Sequence, residues 1–228
     1  MQVSTDRYNT ELFEKKLVKF RPFTVNELIF KRIFDILGGL VGALFFVIAV
    51  FILFIPYHLA KGKDKGPMMY RQKRYGRRGN IFYIWKFRTM IMDAEHYLDE
   101  HPEIKQAYHD NGNKLEDDPR VTKIGKFIRQ HSIDELPQFV NVLKGEMSLV
   151  GPRPILLFED KEYGDRLPYL LMCKPGITGY WTTHGRSAVV FPERADLELH
   201  YLEVHSLVFD AALIFMTIAQ SIYGKDAY

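Results

Sequence analysis

The sequence holds one cysteine, Cys173, so no internal disulfide staples it and the fold must rest on packing; a reducing cytosol is compatible with that. It has no G-x-x-x-x-G-K-[ST], no G-x-G-x-x-G after a strand, no G-x-S-x-G and no H-E-x-x-H. ATP-driven, dinucleotide-dependent and common hydrolase chemistries lose their usual signatures. The eight histidines are scattered without zinc-ligand spacing. Repeats and low-complexity segments are also missing. A strong excess of one charge is lacking too: the net charge is +3 over 228 residues. That small value, with the acidic stretch 93–118, weighs against a nucleic-acid binder, which the basic Arg77-Arg78 pair alone would suggest.

The most conspicuous absence is local. From Ile36 to Ala60 there is no Asp, Glu, Lys or Arg, a run longer than the ~20 residues a helix needs to cross a bilayer. It begins too late, runs too long and lacks the small-residue cleavage pattern of a secretory signal, so it is expected to stay in the mature protein. Lys15, Lys16, Lys19, Arg21, Lys31 and Arg32 precede it, and Lys61, Lys63, Lys65, Arg71, Lys73, Arg74, Arg77 and Arg78 follow it. With cations at both ends, the positive-inside tendency chooses neither. A simple span and a helix that enters and turns back are equally allowed, with Gly38, Gly39, Gly42 and Pro56 as candidate bends.

Around this run, 10–20 reads as an amphipathic surface helix with Phe13, Leu17 and Phe20 on one face. Pro67 to Gln72 and Asn80 to Arg88 read as a basic β-hairpin about a turn at Tyr75 to Gly79. A helix is expected over Met92 to Tyr108, a polar loop over Asp110 to Pro119, and a helix over Val121 to Gln130. Beyond Pro154 come a polar helix, a turn at Lys174 to Gly179, and a helix over Pro192 to His205. Ser206 to Tyr223 has a wide apolar face that suits either a core helix or an interfacial one.

The candidate chemistry lies at Asp134-Glu135-Leu136-Pro137-Gln138, between a basic helix ending at Arg129 and the Gly151-Pro152-Arg153-Pro154 turn. Pro137 is tolerated only in a first helical turn, which places the acidic pair at a helix start with Ser132 or Asp134 as cap. A helix start amid arginines favours anions, the setting that phosphate-ester chemistry needs. Ser132-Ile133-Asp134-Glu135 also fits a capping box, in which Glu135 would only bond back to the backbone.

Six blocks occur in one consistent order: Lys31-Arg32-Ile33-Phe34-Asp35, Lys86-Phe87-Arg88-Thr89-Met90, Asp118-Pro119-Arg120, Ile128 through Gln138, Asn141 through Pro154, and Lys174-Pro175-Gly176-Ile177-Thr178-Gly179. Together they resemble the bacterial sugar transferase family of monotopic phosphoglycosyl transferases, from about Asn26 to the C-terminus. The resemblance implies an α+β, predominantly helical fold: a re-entrant membrane helix, interfacial amphipathic helices and a small β-hairpin beside a compact cytosolic catalytic domain. It divides the chain into an N-terminal amphipathic segment (1–25), the membrane helix (26–62) and the catalytic part (63–228), a catalytic unit without the large multi-span region of some relatives. Where many small relatives have Ser-Pro in the membrane helix, this chain has Phe46-Val47-Ile48.

By the same resemblance Asp134 is the nucleophile toward a UDP-sugar, with Glu135 beside it, and both are candidate Mg²⁺ ligands. Arg129 and Arg153 are the leading phosphate contacts, with Lys86, Arg88, Thr178 and Arg186 as further candidates. The implied partners are the UDP-sugar (glucose or galactose first), undecaprenyl phosphate, membrane lipid, downstream glycosyltransferases and a second copy of the chain. Nucleic acid is not among them. The implied location is the cytoplasmic face of the bacterial plasma membrane, and the implied task is starting exopolysaccharide or capsule repeat units. A non-catalytic membrane-anchored scaffold of a polysaccharide assembly complex is the alternative; it would not need the acidic pair.

Overall fold

The computed structural model describes residues 20–110, 115, 117–185 and 189–223. The expected 10–20 helix lies almost wholly outside them, as does half of the polar loop over 110–119. Among the described residues the chain is mainly helical, with two small two-stranded sheets.

The apolar run forms one helix, α1 (Val25–Leu59), opened by a capping box in which Thr24 Oγ1 accepts the Glu27 N–H and Glu27 accepts the Thr24 N–H. It continues unbroken through the glycines and through Pro56. The glycines serve close packing instead of a break. A Cβ at Gly38 would lie 2.6 Å from Leu149, one at Gly39 2.8 Å from Leu143, and one at Gly42 2.2 Å from the Phe139 ring. Asp35, Gly39, Gly42, Ala49, Leu53 and Tyr57 are buried at helical spacing, so one stripe of α1 rests on the rest of the protein from Asp35 to Tyr57. The other side exposes Leu40, Leu44, Phe51, Ile52, Phe54 and Ile55.

Polar residues fix the start of this helix. Lys31 Nζ donates to Val150 O at 2.8 Å, to Tyr201 Oη at 3.1 Å and to Asp210 at 2.5 Å. Arg32 donates to the carbonyls of Val142 and Leu143, both at 2.7 Å. Asp35, 3% exposed, accepts from the Ser148 hydroxyl and the Leu149 N–H. Burying these charges is tolerable because each has partners.

The expected hairpin forms as β1 (Met69–Tyr75) antiparallel to β2 (Ile81–Phe87), in register from Met69↔Phe87 to Tyr75↔Ile81. The expected 92–108 helix is two, α2 (Ala94–Glu100) and α3 (Pro102–Asp110), because Pro102 cannot donate to the preceding turn and pushes His101 out of helical geometry. Next come α4 (Lys123–Gln130), capped by Thr122, and α5 (Gln138–Lys144), which ends at Gly145 with φ 83°.

The segment expected as a turn at 174–179 instead contributes β4 (Gly176–Thr178), parallel to β3 (Ser148–Val150). Glycines permit this backbone-to-backbone contact: a Cβ at Gly176 would sit 2.1 Å from Gly151 N, and one at Gly179 2.1 Å from Gly151 O. Between these strands run α6 (Asp160–Tyr163) and α7 (Leu167–Leu170); α8 (Tyr180–His184), α9 (Glu193–Val204) and α10 (Leu207–Tyr223) complete the chain. Leu199, Leu202, Leu213, Tyr163 and Leu170 share one core, while a second joins Ala49, Leu53 and Tyr57 of α1 to Phe87 and Ile128. Helix α10 buries Leu213 but exposes Val208, Phe215 and Ile218.

Candidate active site

The acidic pair sits where α4 hands over to α5. Ser132 has φ 53°, which reverses the chain and removes it from any capping role. Ile133–Glu135 then makes one 3₁₀ turn, and α5 starts only after Pro137. Asp134 and Glu135 therefore precede the helix instead of opening it, and the capping-box reading of Glu135 fails. Ile133 and Leu136 pack into the core shared with α1, so the turn directs the two carboxylates away from it, toward β2.

Lys86, near the end of β2, lies 2.8 Å from Glu135 Oε1 and 3.6 Å from Asp134 Oδ2. Burial raises the Asp134 carboxyl above its usual range, and the neighbouring Glu135 charge adds to this, with Lys86 and Arg129 pulling the other way. Burial acts upward on Glu135 too. There the charge and hydrogen bond of Lys86, the charge of Arg153 and a hydrogen bond with Gln138 prevail, holding it below the usual range. Adjacent carboxylates so separated divide naturally into an anchored anion and a neighbour whose charge depends on what else enters the site.

Arg129 donates through Nε to Thr89 Oγ1 at 2.9 Å, which aims its fork beside the pair. Arg153 is the freest cation here. Its guanidinium lies 5.3 Å from the Trp181 ring centre, and among the described residues no side-chain hydrogen bond holds it.

The other candidates are placed differently. Arg88 is 5% exposed and spends its donors on the carbonyls of Pro67, Met90 and Asp64, tying the chain after α1 to the hairpin. Thr178 directs its hydroxyl to Thr217 of α10 at 2.5 Å. Arg186 lies outside the described residues.

Sequence reasoning missed Thr89 as the holder of Arg129 and Gln138 as a partner of Glu135. Both fall inside the recognised blocks, which was the available signal. It also missed Glu198 of α9, whose carboxylate accepts the Arg153 N–H at 2.8 Å and which nothing in a polar helix pattern sets apart.

No group of three or more His, Cys, Asp or Glu side chains forms a ready-made metal cage among the described residues. Two adjacent carboxylates still fit Mg²⁺, which takes one or two of them and completes its shell with water and substrate phosphate oxygens. A carboxylate in the company of Lys86, Arg129 and Arg153 has the surroundings that attack on phosphorus requires, since those cations offset phosphate charge.

Residues 26–224 match the family described as bacterial sugar transferase. The chain belongs to that family. Among its relatives is "Galactosyl transferase CpsE" of Streptococcus agalactiae serotype III, 40% identical over 94% of this chain and 49% of the relative. "Undecaprenyl-phosphate galactose phosphotransferase" of Salmonella typhimurium is 39% identical over 87% of this chain and 41% of its own length. "Exopolysaccharide production protein ExoY" of Sinorhizobium fredii is 36% identical over 87% of this chain and 88% of its own. The chain thus spans about half the length of the first two and most of the third. In this member of the family the recognised blocks divide their work: 31–35 bolts α1 to the domain, 86–90 and 128–138 bring the acidic pair and its cations together, and 141–154 with 174–179 form the support that carries Arg153.

Proposed function

We propose that this protein transfers a sugar 1-phosphate from a UDP-sugar to undecaprenyl phosphate, releasing UMP and starting an exopolysaccharide or capsule repeat unit. The observation that carries this reading is the Asp134-Glu135 pair held by Lys86 in a turn packed on the apolar helix α1. A phosphate-handling site there meets a lipid-borne acceptor without the acceptor leaving the membrane.

In the first half-reaction an Asp134 carboxylate oxygen attacks the β-phosphorus. The new O–P bond forms as the bridging P–O bond breaks, and UMP departs with that electron pair. In the second, an oxygen of undecaprenyl phosphate attacks the same phosphorus, the bond to Asp134 breaks, and the carboxylate is regenerated. Arg129 and Arg153 hold the diphosphate by bidentate contacts, and Lys86 keeps Glu135 ionised and in place. Asp134 and Glu135 would hold Mg²⁺, which would supply charge neutralisation on the phosphate oxygens.

Galactose or glucose is the sugar proposed, with galactose first because three matched relatives carry galactose in their names and two carry glucose. Purified protein with Mg²⁺ and undecaprenyl phosphate should release UMP from UDP-galactose or UDP-glucose. Silence with a full panel of UDP-sugars, in a preparation of intact fold, would overturn the reading.

The membrane arrangement is proposed as monotopic, on the cytoplasmic face. The buried stripe of α1 runs from Asp35 to Tyr57, about 33 Å at the helical rise. A helix lined by its own domain over that distance has no free length to cross a bilayer with the domain left on one side. Cysteines placed at Lys19 and Lys65 are expected to stay unlabelled by an impermeant maleimide in intact cells and to label after permeabilisation; labelling of one from outside would contradict this.

A further inference from the structure

Arg153, the free cation of the site, has an unusual backing. Its backbone N–H donates to Glu198 Oε2 at 2.8 Å, and Glu198 is 1% exposed. The other carboxylate oxygen of Glu198 is buried without a hydrogen bond and lies 4.0 Å from Arg194 Nε. Arg194 reaches Glu159 at 3.2 Å and lies 4.7 Å from the centre of the same Trp181 ring that Arg153 faces. Arg74 of β1, 6% exposed, closes the group, with Glu159 at 4.0 Å and Pro154 O at 2.8 Å. Arg153 and Arg194 thus share one indole, Arg74 joins them through Glu159 and the Pro154 carbonyl, and Glu198 and Glu159 are the anions among them.

We propose that Glu198 is a positioning residue for the transfer reaction: ionised, it balances Arg153, Arg194 and Arg74 and holds the turn so that the Arg153 guanidinium points at the donor diphosphate. This rests on the function proposed above and assigns Glu198 no contact with substrate. Without its charge Arg194 and Arg74 keep only Glu159 nearby and Arg153 keeps only the more distant charge of Glu135, and among the described residues Arg153 is the one of the three whose guanidinium no side-chain hydrogen bond or ion pair holds.

The charge of Glu198 is poised to vary, since burial pushes its carboxyl up to about 7 against the pull of the Arg153 N–H, Arg194 and Arg153. Arg74 and Tyr163 do not titrate with it: burial brings Arg74 down only to about 10, and burial raises the Tyr163 hydroxyl. A carboxyl with a raised value is charged only above it, so donor binding should weaken as pH falls through 7.

The test is the donor half-reaction alone, without undecaprenyl phosphate, whose own phosphate titrates in this range. UMP burst rates are measured against UDP-galactose or UDP-glucose concentration from pH 6 to 8.5. In the wild-type protein the donor KM should rise about tenfold toward pH 6 while the limiting rate changes little. Glu198→Gln, which keeps the oxygen that accepts the Arg153 N–H, should show the high KM at every pH, and Glu198→Asp should retain a pH-dependent KM. A merely structural Glu198 would leave the KM profile of Glu198→Gln parallel to wild type; that result overturns the proposal. So does a flat wild-type KM, which decides the matter even if neither variant folds. Wild-type protein that releases no UMP from any donor overturns the underlying functional reading, a result distinct from these.

Discussion

Asp134→Asn is expected to lower UMP release by about 10⁴-fold or more, because the amide keeps the shape of the carboxylate and loses its nucleophilic oxygen. The structural cost should be small. Asp134 contributes a 3.6 Å contact to Lys86, while the shorter 2.8 Å contact belongs to Glu135 and survives. Ile133 and Leu136, which seat the turn in the core, are untouched. Circular dichroism and the melting temperature of the detergent-solubilised variant should match wild type to within a few degrees. Loss of turnover with an intact fold also separates an enzyme from a scaffold, which would tolerate the change. Near-normal UMP release from Asp134→Asn would reduce this residue to a metal ligand or an electrostatic neighbour.

The second large effect is expected at Lys86. Lys86→Met removes the cation between two adjacent carboxylates, and rates should fall by about 10²-fold near pH 7. The sign of the pH dependence is specific. Lys86 pulls Asp134 downward against its burial, so removing it raises the Asp134 carboxyl further and leaves less of the ionised nucleophile at neutral pH. The deficit relative to wild type should therefore shrink as pH is raised from 6.5 to 9. A deficit independent of pH would mean that Lys86 acts by contact with substrate and not through the ionisation of Asp134.

These two residues mark how far the sequence could be read. The hairpin was legible because β-branched and aromatic residues flank a Gly-rich basic turn, and α1 because its apolar run is uninterrupted. The acidic pair stood out as a candidate because Pro137 and the surrounding arginines set it apart. Its local geometry was misjudged: Ser132 at φ 53° turns the chain before the helix, a choice imposed by seating Ile133 and Leu136 against α1 and not by any local preference of serine. Long-range partners were illegible for the same reason. Nothing near Gly176 reveals that it pairs in parallel with Ser148, since that contact depends on glycines at 151, 176 and 179 meeting in space. Arg88 reads like Arg129 in sequence, yet one guanidinium is consumed by three carbonyls and the other stands beside the carboxylates. The glycines of α1 invited a bend and instead accommodate Leu149, Leu143 and Phe139.

The central claim is that the sugar phosphate resides on Asp134 between two half-reactions, and one measurement addresses it directly. The protein is incubated with Mg²⁺ and a UDP-sugar radiolabelled in the sugar, without undecaprenyl phosphate, then quenched in acid and separated by denaturing electrophoresis. Label is expected on the protein band at up to about one per chain, matched by UMP released, absent from Asp134→Asn and discharged when undecaprenyl phosphate is added before the quench. An unlabelled band from a preparation that turns over fully once the acceptor is present would contradict the claim and point to direct transfer between the two substrates.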